Sequence, residues 1–279
     1  MILQSRTCFH VLFLWKKGKH NMLKPNEIAK SFVQTGIQKT SMPTSKMFVL
    51  GIFAGMFVAF AGAGSTIASC MIEDPSLARI MNACIFPAGL IMVILAGSEL
   101  FTGNSLIILS VLEKKVTFRQ MLKNWIVVYA GNLTGSLLVA ILIVYGHIPD
   151  LFSEQLAHTM VDVAASKANL AFQYAFIKGI LCNILVCISV WVASASKQVP
   201  GKILALFLPI AVFVLCGFEH SVANMYCIPS GILTSMEYGI TAAGLNLMGF
   251  VHNLIPVTIG NCIGGLLVGI GYHYVYLKK

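Results

Sequence analysis

The sequence has few charged residues, and this scarcity excludes an ordinary soluble domain. Asp, Glu, Lys and Arg make up 10% of its 279 residues, whereas soluble globular proteins average about 25%. Hydrophobic residues make up 57% of the chain, and the mean hydropathy is +0.84. We therefore expect the length to be divided among membrane-spanning helices of about 20 residues each.

The sequence also lacks the motifs of several common functional sites. Its eight cysteines include no Cys-x-x-Cys pair and no histidine at zinc spacing, so neither a metal site nor a disulfide framework is predicted. The His-Glu-x-x-His motif of metalloproteases is absent. A formal match to an intramembrane serine protease, Gly62-Ala-Gly-Ser65, is far in sequence from the candidate histidine, His220. The chain is therefore not expected to be an enzyme, and no cofactor is predicted.

The basic residues lie at the ends of apolar segments. The net charge is +9, but this distribution argues against a nucleic-acid partner. Lys and Arg concentrate in the N-terminal arm and in residues 114–123, 197–202 and 278–279. Because basic residues mark cytoplasmic loops, we predict a multi-pass protein of the cell (inner or plasma) membrane, surrounded by lipid, with both termini in the cytoplasm.

Six membrane spans are predicted, in an all-α fold. They cover residues 46–70, 80–112, 124–145, 170–194, 203–234 and 252–276, and a polar outer loop is expected at 146–169. As one helix the second span would be about 50 Å long, against a hydrocarbon core of about 30 Å. The second and fifth spans are therefore expected to be broken.

The regions before the first span are predicted to differ in importance. Residues 1–21 are expected to be an N-terminal extension without an assigned function, and residues 22–45 a cytoplasmic amphipathic helix. Ile28, Phe32, Val33 and Ile37 fall on one face of that helix, with Lys30 and Lys39 opposite. Such a helix can lie in the membrane interface or pack on the protein.

The channel domain, residues 46–279, contains an internal repeat. Residues 124–138 match residues 253–267 at eight of fifteen positions. The two halves, 46–147 and 170–279, each contain three spans, so the second half enters the membrane in the opposite sense. This arrangement predicts an inverted repeat, whose two broken helices meet near the membrane midplane.

Both broken spans contain the same polar motif. Gly97-Ser-Glu-Leu-Phe-Thr-Gly-Asn104 and Gly217-Phe-Glu-His-Ser-Val-Ala-Asn224 share the pattern Gly-x-Glu-x-x-x-small-Asn. Ionisable residues at membrane depth normally face a protein interior or a watery path. The N-terminal ends of the restarting helices carry partial positive charge, which favours an anion.

Several polar residues in these segments have candidate roles. His220 is expected to face the pore, because it occupies the break itself and its charge can change near neutral pH. Thr102 can donate a hydrogen bond from the other half. We interpret Glu99 and Glu219 as acceptors for freed backbone amides; direct handling of substrate or protons is the alternative. Together with these carboxylates, Asn104 and Asn224 are predicted to support the loops.

Three asparagines lie within the spans. Asn132 and Asn261 occupy the repeated Gly-Asn-x-x-Gly and are predicted to tie helices together. Asn183 either joins helices in the same way or lines the pore, and its sequence context does not separate the two.

These motifs resemble the formate/nitrite transporter family, including its hydrosulfide-channel branch. The matching segments are Gly97–Asn104, Gly131–Gly135, Cys182–Trp191, Gly217–Met225 and Asn253–Asn261. The resemblance implies a homopentamer with an aquaporin-like protomer, each protomer containing its own pore. It also implies the pathway residues His220, Thr102, Asn183 and Lys167, and an apolar constriction of Phe86, Leu90 and Phe213.

The implied substrate is a small monovalent anion: formate, nitrite or hydrosulfide. We expect formate to be the substrate, and His220 to hydrogen-bond the anion or lend it a proton. An aquaporin-like channel for neutral solutes is the alternative from another class, but the paired Asn-Pro-Ala motifs that it needs are absent.

Overall fold

The computed structural model describes residues 22–278, and the regular structure within them is helical. The α-helices are α1 (Pro25–Ser41), α2 (Thr44–Ser69), α3 (Pro75–Ile85), α4 (Ala88–Ala96), α5 (Ile108–Leu112), α6 (Phe118–Tyr145), α7 (Gln155–Ala168), α8 (Phe172–Ala195), α9 (Val199–Leu215), α10 (Ser221–Tyr238) and α11 (Leu247–Tyr276). Two 3-10 helices cover Gly103–Ile107 and Ile148–Asp150. The predicted extension at residues 1–21 lies outside the described residues.

Five segments of residues 22–278 are long and apolar enough to cross a membrane. They are Thr44–Ser69, Pro75–Ala96, Phe118–Tyr145, Phe172–Ala195 and Leu247–Tyr276. Gly103–Leu112 and Val199–Leu215 are apolar but shorter. The segment predicted as a fifth span is divided between α9 and α10, so neither part alone meets both criteria.

The long helices pack as two pairs. Helix α2 packs along α6, and α8 packs along α11 in the same manner. The sixth positions of the two matched segments, Tyr129 of α6 and Thr258 of α11, hydrogen-bond to each other through their hydroxyls at 2.8 Å. Corresponding points of the two sequence halves therefore meet in space.

Two boundaries differ from the predictions. Helix α6 begins at Phe118 rather than Asn124, because Thr117 accepts a hydrogen bond from the backbone of Gln120 and caps the helix earlier. Residues 146–169 are not only a loop, since they contain α7. The apolar face of α7 repeats with helical spacing and is buried, largely against α10; it consists of Leu156, Ala157, Met160, Val161 and Ala164.

Helix α1 packs on protein through its apolar face. Phe32 stacks on Trp191 of α8, with ring centroids 5.3 Å apart. The hydroxyl of Ser110 on α5 donates to the Val33 carbonyl at 2.9 Å. The sequence allowed this helix either to lie in the membrane interface or to pack on the protein, and its apolar face packs on the protein. Lys39 does not lie opposite this face as predicted; its ammonium turns into the protein.

The chain leaves helical geometry within both predicted interruptions. Helix α4 ends at Ala96 and α9 at Leu215, and each is followed by a left-handed glycine: Gly97 has φ +79° and Gly217 has φ +67°. A side chain is strained in that conformation, so glycine suits both positions. The restarts differ, because the first consists of a five-residue 3-10 helix and the five-residue α5, whereas the second is the 18-residue α10.

Candidate functional site

The two interruptions meet at a hydrogen bond between Thr102 and His220. Thr102 Oγ1 lies 2.9 Å from His220 Nε2, and both residues are buried. The Ala223 backbone amide donates to His220 Nδ1 at 3.1 Å and caps α10. Since a neutral imidazole has one acceptor nitrogen and one N–H, Nε2 is the atom that donates to Thr102. The Thr102 hydroxyl proton is therefore free for another acceptor.

Each carboxylate of the repeated motif is held by a lysine and an asparagine. Glu219 accepts from Lys167 Nζ at 2.9 and 3.0 Å and from Asn224 Nδ2 at 2.6 Å. Glu99 accepts from Lys39 Nζ at 2.8 Å, and Asn104 Nδ2 donates to it at 2.7 Å. The carboxylates thus bind side chains rather than the freed backbone amides that the sequence suggested.

Lys167 lies in the last turn of α7, and its side chain is partly buried. Burial by itself lowers the pKa of this lysine. The charge and hydrogen bonds of Glu219 outweigh burial, so the pKa of Lys167 is raised above its ordinary value. Lys167 therefore stays cationic at physiological pH.

Asn132 and Asn261 each bind two backbone groups of an interruption and one carbonyl of a neighbouring helix, α2 or α8. Asn132 Oδ1 accepts from the Phe101 amide at 2.9 Å, while its amide group donates to the carbonyls of Gly51 and Glu99. Asn261 makes the equivalent set of bonds in the other half, accepting from the Ser221 amide at 2.9 Å and donating to the carbonyls of Gly179 and Glu219.

Asn183 is fully buried and joins the first interruption to α11. Its amide donates to the Asn261 carbonyl at 2.6 Å and to the Thr102 carbonyl at 3.2 Å. This geometry matches the helix-joining alternative, and through it Asn183 positions Thr102.

A cavity of about 680 Å³, here called the large cavity, leads to His220. Its walls include three basic residues, Arg79, Lys167 and Lys178. Phe86 and Phe213 also line it and meet edge to face with centroids 5.7 Å apart, and the Phe213 ring stacks on the His220 ring at 6.1 Å. Two acidic residues, Asp162 and Glu219, line the cavity as well, so its walls carry a small net positive charge. The site thus combines this charge, an aromatic pair and a buried hydrogen-bond donor. Arg79 and Lys178 were not among the site residues predicted from the sequence.

A second cavity of about 190 Å³, the small cavity, lies beside α1. Its lining includes Lys39, Asn104 and Leu90, so Leu90 does not share the large cavity with Phe86 and Phe213. Gly103, which follows Thr102, also lines it. His220 lines the large cavity, so the Thr102–His220 bond lies between the two cavities.

Sequence comparison finds relatives of nearly the same length. The Formate/nitrite transporter family model matches residues 26–275. The chain is 36% identical to the formate channel FocA of Escherichia coli K12 over 275 residues, covering 93% of this chain and 96% of FocA. It is 34% identical to the formate channel BtFdhC of Bacillus thuringiensis over 260 residues, covering 92% of this chain and 96% of BtFdhC.

Solved structures show the same fold. An FNT family ion channel superimposes with a TM-score of 0.80 at 29% sequence identity, covering 89% of this chain and 98% of the other. A pentameric formate channel with formate bound superimposes with a TM-score of 0.75 at 33% identity, covering 84% and 98%. The resemblance in the sequence motifs is thereby confirmed, and the chain belongs to the formate/nitrite transporter family.

Proposed function

We propose that this protein is a membrane channel for small monovalent anions and that formate is its main substrate. Relatives that are named formate channels, FocA and BtFdhC, support this substrate. The solved relative with bound formate is a pentamer, which supports a homopentamer in which each protomer has its own pore. Nitrite and hydrosulfide remain the alternative substrates.

The proposed architecture has six spans in a three-plus-three inverted repeat, with the second and fifth helices broken. The equivalent bonds of Asn132 and Asn261 support this arrangement. Residues 22–45 then form a cytoplasmic helix and residues 46–279 the channel domain. The protein lies in the inner or plasma membrane of the cell, with both termini in the cytoplasm.

The observation that carries the proposed mechanism is the Thr102–His220 hydrogen bond at the end of the large cavity. The net positive charge of the cavity walls attracts an anion, and the apolar ring pair Phe86–Phe213 opposes a bare charge. Beyond the rings, His220 orients the Thr102 hydroxyl so that it donates a hydrogen bond to the anion. This hydrogen bond replaces part of the hydration that the anion has lost.

The geometry favours a hydrogen bond from this pair over a loan of a proton by His220. A second proton on the imidazole must reside on Nδ1, where the Ala223 amide already donates. Protonation therefore has to displace the cap of α10. The anion can instead take a hydrogen bond without that change.

The test is uptake of labelled formate by proteoliposomes, corrected with empty liposomes. We expect the unmodified protein to transport formate, and Thr102→Val to lower the rate about tenfold, as for the loss of one good hydrogen bond. Thr102→Ser, which keeps the hydroxyl, is the matched control. Uptake by the unmodified protein no faster than by empty liposomes would refute the channel function.

A further inference from the structure

The large cavity contains a cation that the ion pairs described above do not use. Arg79 of α3 is exposed and lines this cavity. Its guanidinium rests against the second interruption, since a Cβ placed on Gly217 would lie 2.7 Å from Arg79 Nη1. Within residues 22–278 the Arg79 side chain has neither an ion pair nor a hydrogen bond. Its donors are available to a ligand in the cavity.

Arg79 stands at the start of a helical face that leads to the aromatic pair. Arg79, Asn82 and Phe86 follow one another at i, i+3 and i+7, and all three line the large cavity. Phe86 keeps helical dihedral angles at the end of α3. With a rise of 1.5 Å per residue, Arg79 lies about 10 Å along the helix from Phe86. Asn82 lies between them on this face.

The Asn82 side chain has hydrogen-bond donors available for an anion in the cavity. Its side chain is partly buried and makes no hydrogen bond to residues 22–278. A free carboxamide offers two N–H donors. The face therefore presents a charged donor first and a neutral donor one turn further in, ahead of the rings.

The chemistry of a guanidinium differs from that of the two lysines in the same cavity. Its planar fork of N–H groups matches two oxygens of a carboxylate-like anion, whereas an ammonium is a point charge. Lys167 is already bound to Glu219, and Lys178 supplies charge without a fork. Formate and nitrite each present two oxygens in one plane. Hydrosulfide presents a single sulfur and cannot bind both arms of the fork.

We propose that Arg79 and Asn82 form an entry site that selects planar anions with two oxygen atoms before they reach Phe86 and Phe213. This site rests on the proposed channel function and adds a preference among its candidate substrates. It acts on anion capture, so its effect is largest at low anion concentration.

The experiment measures labelled formate uptake by full-length protein in liposomes over a range of formate concentrations. Unlabelled nitrite and hydrosulfide are added as competitors, and empty liposomes correct for leakage. We expect Arg79→Lys to raise the half-saturation concentration of formate and the inhibition constant of nitrite about fivefold to tenfold. The inhibition constant of hydrosulfide should stay the same, because charge is retained. Asn82→Ala should also weaken the binding of formate and nitrite.

Lys178→Gln is the matched control for charge alone, and it should weaken the binding of all three anions by a similar factor. The entry site is overturned if Arg79→Lys changes all three anions equally or changes none, while the unmodified protein transports formate normally. Size-exclusion profiles and thermal unfolding in detergent show whether Arg79→Lys is misfolded. If it is, Asn82→Ala is the deciding variant. The entry site is then overturned if Asn82→Ala does not weaken formate binding more than hydrosulfide binding. Absence of uptake by the unmodified protein removes the channel function itself and, with it, this site.

Discussion

At the scale of single residues, the imidazole of His220 performs two tasks with its two nitrogens. Nδ1 caps α10 through the Ala223 amide, and Nε2 reaches across to Thr102 in the other half of the chain. A substitution can separate these tasks. Asparagine is a favourable N-cap residue, but its shorter side chain does not extend as far as Nε2.

We expect His220→Asn to lose about 1 kcal/mol of stability with the Thr102 bond, and His220→Ala to lose about 2 kcal/mol, because it loses the cap of α10 as well. Both variants should transport formate more slowly, because neither orients Thr102. Thermal unfolding in detergent and liposome uptake between pH 5 and pH 8 check these expectations. Uptake by His220→Asn at the unmodified rate, with no dependence on pH, would exclude both the orienting role and a proton loan.

At the scale of elements, α1 is fixed to the rest of the chain by close packing as well as by its apolar face. A Cβ placed on Gly36 would lie 2.0 Å from Ser110 Oγ on α5. Lys39 extends the contact, because its ammonium reaches both Glu99 and Asn104. The small cavity is walled by this helix, so its shape depends on how α1 is seated.

Gly36→Ala is therefore expected to loosen α1. Overpacking of this kind destabilises by about 1–3 kcal/mol, and the Ser110 bond to Val33 should be lost with it. Faster trypsin cleavage after the exposed Lys30 measures the change. Gln34→Ala, at an exposed position of the same helix, is the control. Equal cleavage rates for the two variants would mean that α1 is not held at Gly36.

At the scale of the whole molecule, the two sequence halves use corresponding residues for corresponding contacts. Asn132 and Asn261 each serve one amide and two carbonyls of the backbone. Removing either side chain leaves three buried groups without their partner. The halves should therefore respond to the same damage in the same way.

Asn132→Ala and Asn261→Ala are each expected to destabilise the protein by about 3 kcal/mol, counting about 1 kcal/mol for each lost bond. Thermal unfolding of the two purified variants in detergent measures the losses. Ser136→Ala, a smaller change on the same face of α6, provides a comparison. A large loss in one asparagine variant and none in the other would contradict the equivalence.

The sequence predicted the parts of this site that depend on local pattern. Paired glycines mark where α4 and α9 end, and the repeated asparagines mark the helix contacts, since these roles follow from backbone geometry and burial. Lys39 was placed on the wrong face, because it follows Phe32 by seven residues, a spacing of two helical turns that puts it on the same face as Phe32. Arg79 and Lys178 were overlooked for a different reason. Nothing local distinguishes a cation at a cavity wall from one in solvent.

The hydroxyl bond between Tyr129 and Thr258 lies where a residue of one half meets its own counterpart in the other. Two identical halves would bring two tyrosines, or two threonines, face to face at this point. A long and a short side chain fill the space instead, with one bond between them. Such complementarity requires two halves with different sequences. Because both halves belong to one polypeptide, a mutation on one side of the internal axis can be selected without the same mutation on the other side.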